Sequence, residues 1–371
     1  MTVLSDASIH ELAAIRGEAG PITTCYLDVD GRHLVRQQDV EQELETLLRS
    51  ARQRADDDPS VLEDLARIEK HVRAGIDRQG VRGLVFVASV ANELWQVIPL
   101  PVRVRSQVVV NSAPAVAQLE SILQSHEPIG VLLADRQRAR LFVFELGELV
   151  EHSELLDELP RDYDSRGQSE RGTPESHVEE LAHQHLRHAA RAAFQVFQER
   201  PFEHLVVGAS EAVAGELEAA LHPYLRERLG GRIHVAIDAP ASVVQEAAEA
   251  VELELEKARD AAIVERLREA AATGRKGVAG LAATLEALNE HRVERLVVSK
   301  GFSKEGWRCP DTGTLHAVGP THPTTGAPMV RVPDVVEDAV EEALTAKVPV
   351  TICVADADLD VLGRIGALLR Y

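Results

Sequence analysis

The sequence contains little cysteine, few aromatic residues and no long apolar run. Its three cysteines, Cys25, Cys309 and Cys353, are odd in number and far apart in a chain of 371 residues, which argues against a disulfide framework. We expect each to be a small buried hydrophobic residue. No apolar run approaches the roughly 18 residues that a membrane span needs. This absence predicts a cytoplasmic protein that does not contact a membrane.

Several common catalytic and cofactor motifs are also missing. The sequence has neither the phosphate-binding GxxxxGK(S/T) loop nor GxGxxG, which argues against a nucleotide-hydrolysing engine. It has no HExxH pair, and only His185 and His188 share a helix face, so we expect neither metal nor cofactor and interpret these histidines as solvated or close to RNA phosphates. A GxSxG elbow is absent, although a hydrolase with a dispersed triad in the middle of the chain stays open.

The net charge of −20 argues against general, sequence-blind binding to nucleic acid, DNA included, because phosphate contacts need clustered Lys and Arg. A local contact is still compatible with this charge. The tract from Arg161 to Arg200 carries six arginines against seven acidic residues and is therefore close to neutral.

Chain length and the alternation of strand-like and helix-like segments predict an α/β protein with more than one core. The breaks at His126 to Pro128 and at Thr273 to Gly277 predict three α/β domains. The third is expected to be an α/β/α sandwich with a small Gly- and Pro-rich insert at residues 300–329. The predicted domains are residues 1–127, 128–272 and 273–371.

A polar loop followed by a long helix is the most distinctive local pattern. No apolar residue occurs between Tyr163 and Val178, which predicts an exposed loop. Apolar residues then recur at helical spacing, which predicts a helix that packs through one face. They are Val178, Leu181, Leu186, Ala189, Ala190, Phe194 and Phe197.

Three features occur in an order that resembles the archaeal and eukaryotic class-1 peptide-chain release factors and their relative Pelota. The first is the strand pair ADRQRARLFVF followed by a loop with Gly167, Gln168 and Ser169 and by the long helix. The second is the stretch of residues 273–302, and the third is WRCPDTGTL, which is similar to a knuckle insert with one cysteine lost. The ends, GPITTCYLDVD and GRIGALLRY, resemble actinobacterial, Balon-like members. The resemblance implies a release-factor-like or Pelota-like arrangement of the three domains.

In this family the loop carries Gly-Gly-Gln, and the resemblance implies roles for individual residues. Gly167 and Gln168 match the second Gly and the Gln, so they are the candidate catalytic residues, whereas Arg166 stands at the first Gly position. The Gln would orient water at the ester of peptidyl-tRNA and stabilise the developing oxyanion. Arg166, Arg171, Arg187 and Arg191 are the candidate RNA-binding residues.

The resemblance implies a translation factor that enters the ribosomal A site and contacts rRNA and peptidyl-tRNA. Its third domain would dock a translational GTPase. Peptide release for ribosome rescue is one hypothesis, and the enzymatic activity would then be peptidyl-tRNA hydrolysis in the peptidyl-transferase centre. The alternative is a non-catalytic hibernation or stress factor that fills the A site. Arg166 and the missing Asn-Ile-Lys-Ser decoding motif favour the alternative, while Gly167 and Gln168 favour the enzyme.

Overall fold

The computed structural model describes residues 6–54, 58–156, 174–274, 276–353 and 357–371. The chain forms two compact units. Unit 1 combines Met1–Gln124 with Arg259–Tyr371, and unit 2 is Ser125–Ala258. The division into three domains stays a prediction, and its first and third segments fall largely within unit 1. No helix in the described ranges is long and apolar enough to cross a membrane.

The first part of unit 1 is a four-stranded antiparallel sheet covered by two helices. Its strand order is β3-β2-β1-β4. Every residue of β1 and β2 is buried, and α2 and α3 supply the apolar side chains of the core they share with this sheet. Asp58 caps α3 by accepting a 2.9 Å bond from the Ser60 amide. The elements are α1 (Asp6–Ala13), β1 (Ile22–Asp28), α2 (Gln37–Arg54), α3 (Pro59–Arg73), β2 (Gly83–Ser89), β3 (Leu94–Leu100), β4 (Gln107–Asn111) and α4 (Ala117–Ser125).

Unit 2 is a five-stranded mixed sheet with order β7-β6-β5-β8-β9. β5, β8 and β9 run parallel, and the β5-β6-β7 meander is antiparallel. The elements are β5 (Ile129–Ala134), β6 (Arg138–Glu145), β7 (Glu148–Leu156), α5 (Pro174–Glu199), β8 (His204–Gly208), α6 (Glu211–Ala220), α7 (Pro223–Arg226), β9 (Leu229–Ile233) and α8 (Ala241–Thr273), of which α8 continues beyond Ala258.

The central strand β5 is buried on both faces, which explains its uninterrupted apolar sequence. Leu132 belongs to a core with the helices α5 and α6, while Val131 and Leu133 belong to a second core with α8. The sheet therefore separates two apolar layers, and α5 covers one of them.

The position of β9 differs from the prediction. The alternation of Ile233, Val235 and Ile237 predicts a strand over residues 233–237, but the strand is Leu229–Ile233. Helix α8 passes close to it, since a Cβ at Gly230 would lie 2.7 Å from Leu255 and one at Gly231 would lie 3.0 Å from Val251. The two glycines, which indicate a turn by composition, are needed here for a close approach of helix to strand.

The second part of unit 1 has a sheet of order β10-β16-β11-β15, in which β11 and β15 are parallel and β16 is antiparallel. A separate sheet, β13-β12-β14, lies in and just beyond the predicted insert. The predicted α/β class is confirmed. Cys25, Cys309 and Cys353 are buried, as expected, and form no disulfide bond among the described residues. The elements are β10 (Gly277–Ala279), α9 (Leu281–Asn289), β11 (Val293–Ser299), β12 (Gly306–Arg308), β13 (Leu315–His316), β14 (Val330–Val332), α10 (Val335–Thr345), β15 (Val350–Cys353), α11 (Ala357–Val361) and β16 (Ile365–Leu369).

One face of α10 buries four carboxyl groups. Asp334, Glu337, Asp338 and Glu341 follow the i, i+3, i+4, i+7 spacing of a helix face, and each is at most 9% exposed. Burial raises the pKa of Glu337 to about 8, and it also raises the pKa of Glu341 to about 8. Glu337 accepts a 2.7 Å bond from the Ala117 amide.

The partners of Asp338 and Glu341 come from distant parts of unit 1. Asp338 accepts a 2.6 Å bond from Asn111 and a 2.9 Å bond from Arg308. Arg16 Nη2 lies 2.5 Å from Glu341 Oε1, an ion pair without hydrogen-bond geometry. The buried carboxyl groups therefore hold residues from both segments of unit 1 together.

The packing of α5 can be tested at Leu186, which is 1% exposed in the core shared with β5. We expect Leu186→Ala to lower the free energy of unfolding by about 2–5 kcal/mol, because a cavity replaces the lost contacts. The exposed Gln184→Ala on the same helix is the control and should change it by less than about 0.5 kcal/mol. Denaturant unfolding measures both. Equal effects would contradict the packing described here.

The raised pKa of Glu337 predicts a pH-dependent stability. Its folded pKa of about 8 lies above its ordinary value of 4.5, so the folded chain holds the proton more tightly. Below its ordinary pKa the Glu337 carboxyl group is protonated in both the folded and the unfolded chain, so it does not lower the free energy of unfolding. As the pH rises toward the folded pKa, the free energy of unfolding falls. Glu337→Gln keeps the acceptor for Ala117 and removes the ionisation. We expect the free energy of unfolding of Glu337→Gln, relative to that of wild type, to increase between pH 5 and pH 8 by at least about 1.4 kcal/mol, the value of one pKa unit.

The control for this experiment is Glu286→Gln, an exposed substitution on α9. Denaturant unfolding at both pH values should show a constant difference between this variant and wild type. A constant difference for Glu337→Gln as well would show that its carboxyl group does not change protonation on unfolding.

Candidate functional site

The predicted catalytic loop joins β7 to α5. Gly167, Gln168, Arg166 and Arg171 fall within residues 157–173, which lie outside the described residues. The structure therefore places the two elements from which this segment departs and to which it returns.

The strand that leads into the segment belongs to a well-anchored hairpin. Phe142 of β6 stacks on His152 of β7 with ring centroids 4.6 Å apart. The guanidinium of Arg140 lies 4.8 Å from the Phe142 ring and donates to the carbonyl oxygens of Ile237 and Ala239 at 2.9 and 2.7 Å. These contacts fix β6 and its partner β7 to the rest of unit 2.

Helix α5 packs on the sheet through small and apolar side chains, as the spacing predicted. Its inward face lies against β5 and β6, and alanines allow the helix backbone to come close to the sheet. The buried apolar residues of this face are Ala182, Leu186, Ala189, Ala190 and Ala193. Since the side chains before Glu179 are not described, the packing is defined from this point onward.

An aromatic cluster anchors the carboxyl-terminal end of α5. Phe194 stacks on His222 with centroids 3.7 Å apart, and Phe197 meets Phe202 edge-on at 5.1 Å. Arg228 covers the Phe197 ring at 5.0 Å. The cluster and the buried alanine face together hold the helix in one orientation within unit 2.

Arg187 and Arg191 lie on the exposed face of α5, one helical turn apart. Arg187 contacts Glu180 at 3.0 Å, and both side chains are more than half exposed, so this ion pair contributes little to stability. Arg191 forms no ion pair within the described ranges. Both predicted RNA-binding arginines on the helix are therefore accessible to an anion.

Two further cationic residues, Arg136 and Arg138, lie near the end of the sheet where β7 ends, and the sequence analysis did not single them out. Arg138 pairs with Leu156, the last residue of β7, so the turn from β5 to β6 lies at the sheet end where the candidate segment starts. Asp135 shapes this turn by accepting bonds from the amides of Gln137 and Arg138 at 2.8 and 2.6 Å. Arg136 is exposed in the same turn. The signal in the sequence was the charged turn between two apolar strands.

The histidines of α5 have different environments. His185 is 2% exposed, so the expectation that these histidines are solvated is wrong for this residue, whose face packs on the sheet. His183 Nδ1 lies 3.3 Å from Glu216 on α6, and His188 is exposed. The side chain of His177 is outside the described set. No group of three His, Cys, Asp or Glu side chains suited to a metal ion occurs among the described residues.

The knuckle-like stretch Trp307 to Leu315 is a turn closed by its own backbone. The Cys309 amide donates to Thr314 O at 2.9 Å, and the Gly313 amide donates to Cys309 O at 2.8 Å. The Thr314 hydroxyl lies 3.0 Å from His316 Nε2. These bonds shape the turn.

Comparison with known proteins identifies the region that contains the candidate site. Residues 114–253 match the model of bacterial archaeo-eukaryotic release factor family 10. A search for relatives among curated proteins finds none.

Several solved structures are similar to this chain at low identity. The archaeal translation termination factor aRF1 is 16% identical, with 99% of this chain and 98% of that chain covered and a TM-score of 0.27. Pelota of Archaeoglobus fulgidus is 17% identical, with 78% and 79% covered and a TM-score of 0.36. Dom34 of S. cerevisiae is 7% identical, with 75% and 74% covered and a TM-score of 0.37.

These TM-scores are below 0.5, so the assignment rests on the family model. Its match begins just before α4, covers unit 2 as far as residue 253 and ends in the first half of α8, and it includes the segment with Gly167 and Gln168. The resemblance seen in the order of sequence motifs is confirmed. Residues 114–253 of the chain are similar to the bacterial archaeo-eukaryotic release factor family 10.

Proposed function

We propose that this chain is a translation factor that enters the ribosomal A site and acts on peptidyl-tRNA through the segment containing Gly167 and Gln168. The observation that carries the proposal is the family match over residues 114–253, which includes this segment and both elements that flank it. The reaction is hydrolysis of the ester between nascent peptide and tRNA. It would rescue a ribosome that has stopped before normal termination.

The flanking elements supply the positioning that such a reaction requires. The Gln168 amide would orient water and stabilise the oxyanion, and this kind of catalysis depends on placement within about 1 Å. β7 is held by its ladder with β6, and α5 is held by a buried face and an aromatic cluster. Both ends of the segment are thus attached to ordered parts of unit 2.

Charge on the surface of unit 2 supports contact with rRNA. Arg187 and Arg191 are exposed on α5, and Arg136 is exposed in the turn beside the end of β7. In the proposal these residues, together with Arg166 and Arg171, contact phosphates and set the orientation of the factor. A translational GTPase that docks on residues 273–371 and a cytoplasmic location belong to the same proposal.

The second candidate function is occupation of the A site without catalysis, as in ribosome hibernation. Arg166 favours it, because this residue stands where the family has glycine. If that backbone position needs a positive φ, arginine there costs on the order of 1 kcal/mol relative to glycine. In this case the segment would block the peptidyl-transferase centre, and Arg166 would bind phosphate.

The catalytic proposal is tested by release of labelled peptide from stalled ribosome complexes. We expect wild type to release peptide and Gln168→Ala to be slower by about 100-fold or more, the typical effect of removing an oxyanion donor. Arg166→Gly should be at least as fast as wild type because it restores Gly-Gly-Gln. Gln198→Ala, an exposed change on α5, is the matched control and should behave as wild type.

The same assay separates the two candidate functions when binding is measured in parallel. If neither wild type nor Arg166→Gly releases peptide, while both co-sediment with ribosomes, the hydrolase proposal fails and occupation of the A site is supported. If the proteins neither release peptide nor co-sediment, both functions are rejected.

The RNA-contact proposal predicts a change in the salt dependence of ribosome binding. Arg191→Gln and Arg136→Gln should each weaken co-sedimentation with ribosomes. Each should also make the negative slope of the logarithm of the binding constant against the logarithm of the salt concentration less steep by about 0.7–0.9, as expected for one lost phosphate contact. Arg49→Gln, on the exposed side of α2, serves as the control. An unchanged slope in both test variants would exclude these residues from the RNA interface.

A further inference from the structure

Unit 1 contains a cavity of about 480 Å³ that the release-factor assignment does not explain. It lies where α2, β4 and α4 meet the carboxyl ends of β11 and β15 and the start of α10. Its volume falls within the range of about 300–1,000 Å³ that is typical of small-molecule sites.

The position in the fold favours a ligand. β11 and β15 are adjacent parallel strands, with Ser299 opposite Cys353 at their ends. In open α/β sheets, ligands bind in crevices beyond the carboxyl ends of parallel strands. Ser299 and Ile352 line the cavity from this edge.

Two cationic residues line the cavity. Arg105 and Lys300 are exposed, and neither forms an ion pair in the part of the chain that the structure describes. Gly301 has φ +70°, and a Cβ there would lie 2.7 Å from Arg105 Nη1, so the guanidinium rests on the turn next to Lys300. The Gln118 amide can bond both backbone groups of Arg105 at 3.3 Å, which fixes this position.

The acidic groups of the cavity are occupied by bonds within the protein. Asp334 caps α10 by accepting from the amides of Val336 and Glu337 at 3.1 and 3.3 Å. Glu337 accepts from the Ala117 amide, and its pKa, raised by burial to about 8, makes it mainly neutral at pH 7. It therefore adds little negative charge to oppose an anion at the two cations.

Hydroxyl groups line the same cavity. Ser121 and Ser299 are 1% and 5% exposed, and their Oγ atoms have no hydrogen-bond partner among the described residues. Buried hydroxyls in proteins are normally bonded. Both Oγ atoms are shielded from solvent, so a polar ligand in the cavity reaches them when the Ser121 and Ser299 side chains rotate, and it then satisfies this hydrogen-bonding capacity.

We propose that the cavity binds a small phosphomonoester with a hydroxylated body, either a free sugar phosphate or a mononucleotide. The phosphoryl group lies between Arg105 and Lys300, and the hydroxylated body faces Ser121 and Ser299. A phosphomonoester carries close to two negative charges at neutral pH, which matches two adjacent cations better than a single carboxylate does.

The test uses ribose 5-phosphate, AMP, ribose and inorganic phosphate in calorimetric titrations of the full chain. We expect ribose 5-phosphate to bind with one-to-one stoichiometry and ribose not to bind. Arg105→Gln and Lys300→Gln should each weaken binding of ribose 5-phosphate at least tenfold. Arg370→Gln, an exposed change in the same unit away from the cavity, should bind as wild type. Thermal unfolding of each variant checks that the fold is retained.

The ligands distinguish the sources of the phosphomonoester. Tighter binding of AMP than of ribose 5-phosphate would support the proposal and assign a mononucleotide, whereas equal binding would assign the sugar phosphate. If inorganic phosphate binds as tightly as both, the site holds an adventitious ion only and the proposal is overturned. It is likewise overturned if no ligand binds at millimolar concentration or if Arg370→Gln weakens binding as much as Arg105→Gln.

Discussion

Burial of carboxyl groups on α10 is the constraint on which unit 1 depends. A charge removed from water is costly unless it is neutralised or paired, and this helix does both. Glu337 gains a backbone donor from Ala117, and Asp338 gains Asn111 and Arg308. Because Ala117 and Asn111 precede unit 2 in the chain and Arg308 follows it, satisfying these acids requires the two segments of unit 1 to fold together.

The same constraint shapes the cavity beside α10. The two carboxyl groups at the cavity, Asp334 and Glu337, accept bonds from backbone amides, and neither forms an ion pair with Arg105 or Lys300 in the described part of the chain. Arg105 and Lys300 therefore stay unpaired within the described residues, although the chain as a whole has a net charge of −20. An excess of acids does not guarantee that each cation has a partner, because the geometry of a fold decides which charges meet.

The sequence predicted elements whose signal is local. The apolar runs at residues 129–134 and 204–208 predict two strands, and β5 and β8 lie there. The helical spacing of apolar residues likewise predicts α5. β10 and β16 were missed, because β10 has three residues and the strand character of β16 depends on pairing with β10 and β11. The sequence also could not pair Glu341 with Arg16, which lies more than 300 positions away.

The candidate site shows the same division between local and long-range information. The order of motifs predicted a resemblance to the superfamily whose family model matches residues 114–253, since these signals are contiguous in the chain, and the role of the segment with Gly167 and Gln168 stays a prediction. The place of Arg136 became evident only from the register that sets Arg138 opposite Leu156. The register of a hairpin results from packing and turn geometry together. The sequence of a charged turn therefore does not show which other segment of the chain lies next to it.

Electrostatics restrict how an acidic chain can approach RNA. At physiological ionic strength, charges separated by more than about 8 Å are largely screened, so the distant acids of this protein oppose binding only weakly. The cations near the contact then decide the orientation. Arg136 lies at the end of the sheet where the candidate segment starts, and Arg187 and Arg191 lie on the exposed face of the helix to which it leads. The strongly negative net charge of the whole chain is therefore compatible with the proposed contact between this region of unit 2 and RNA.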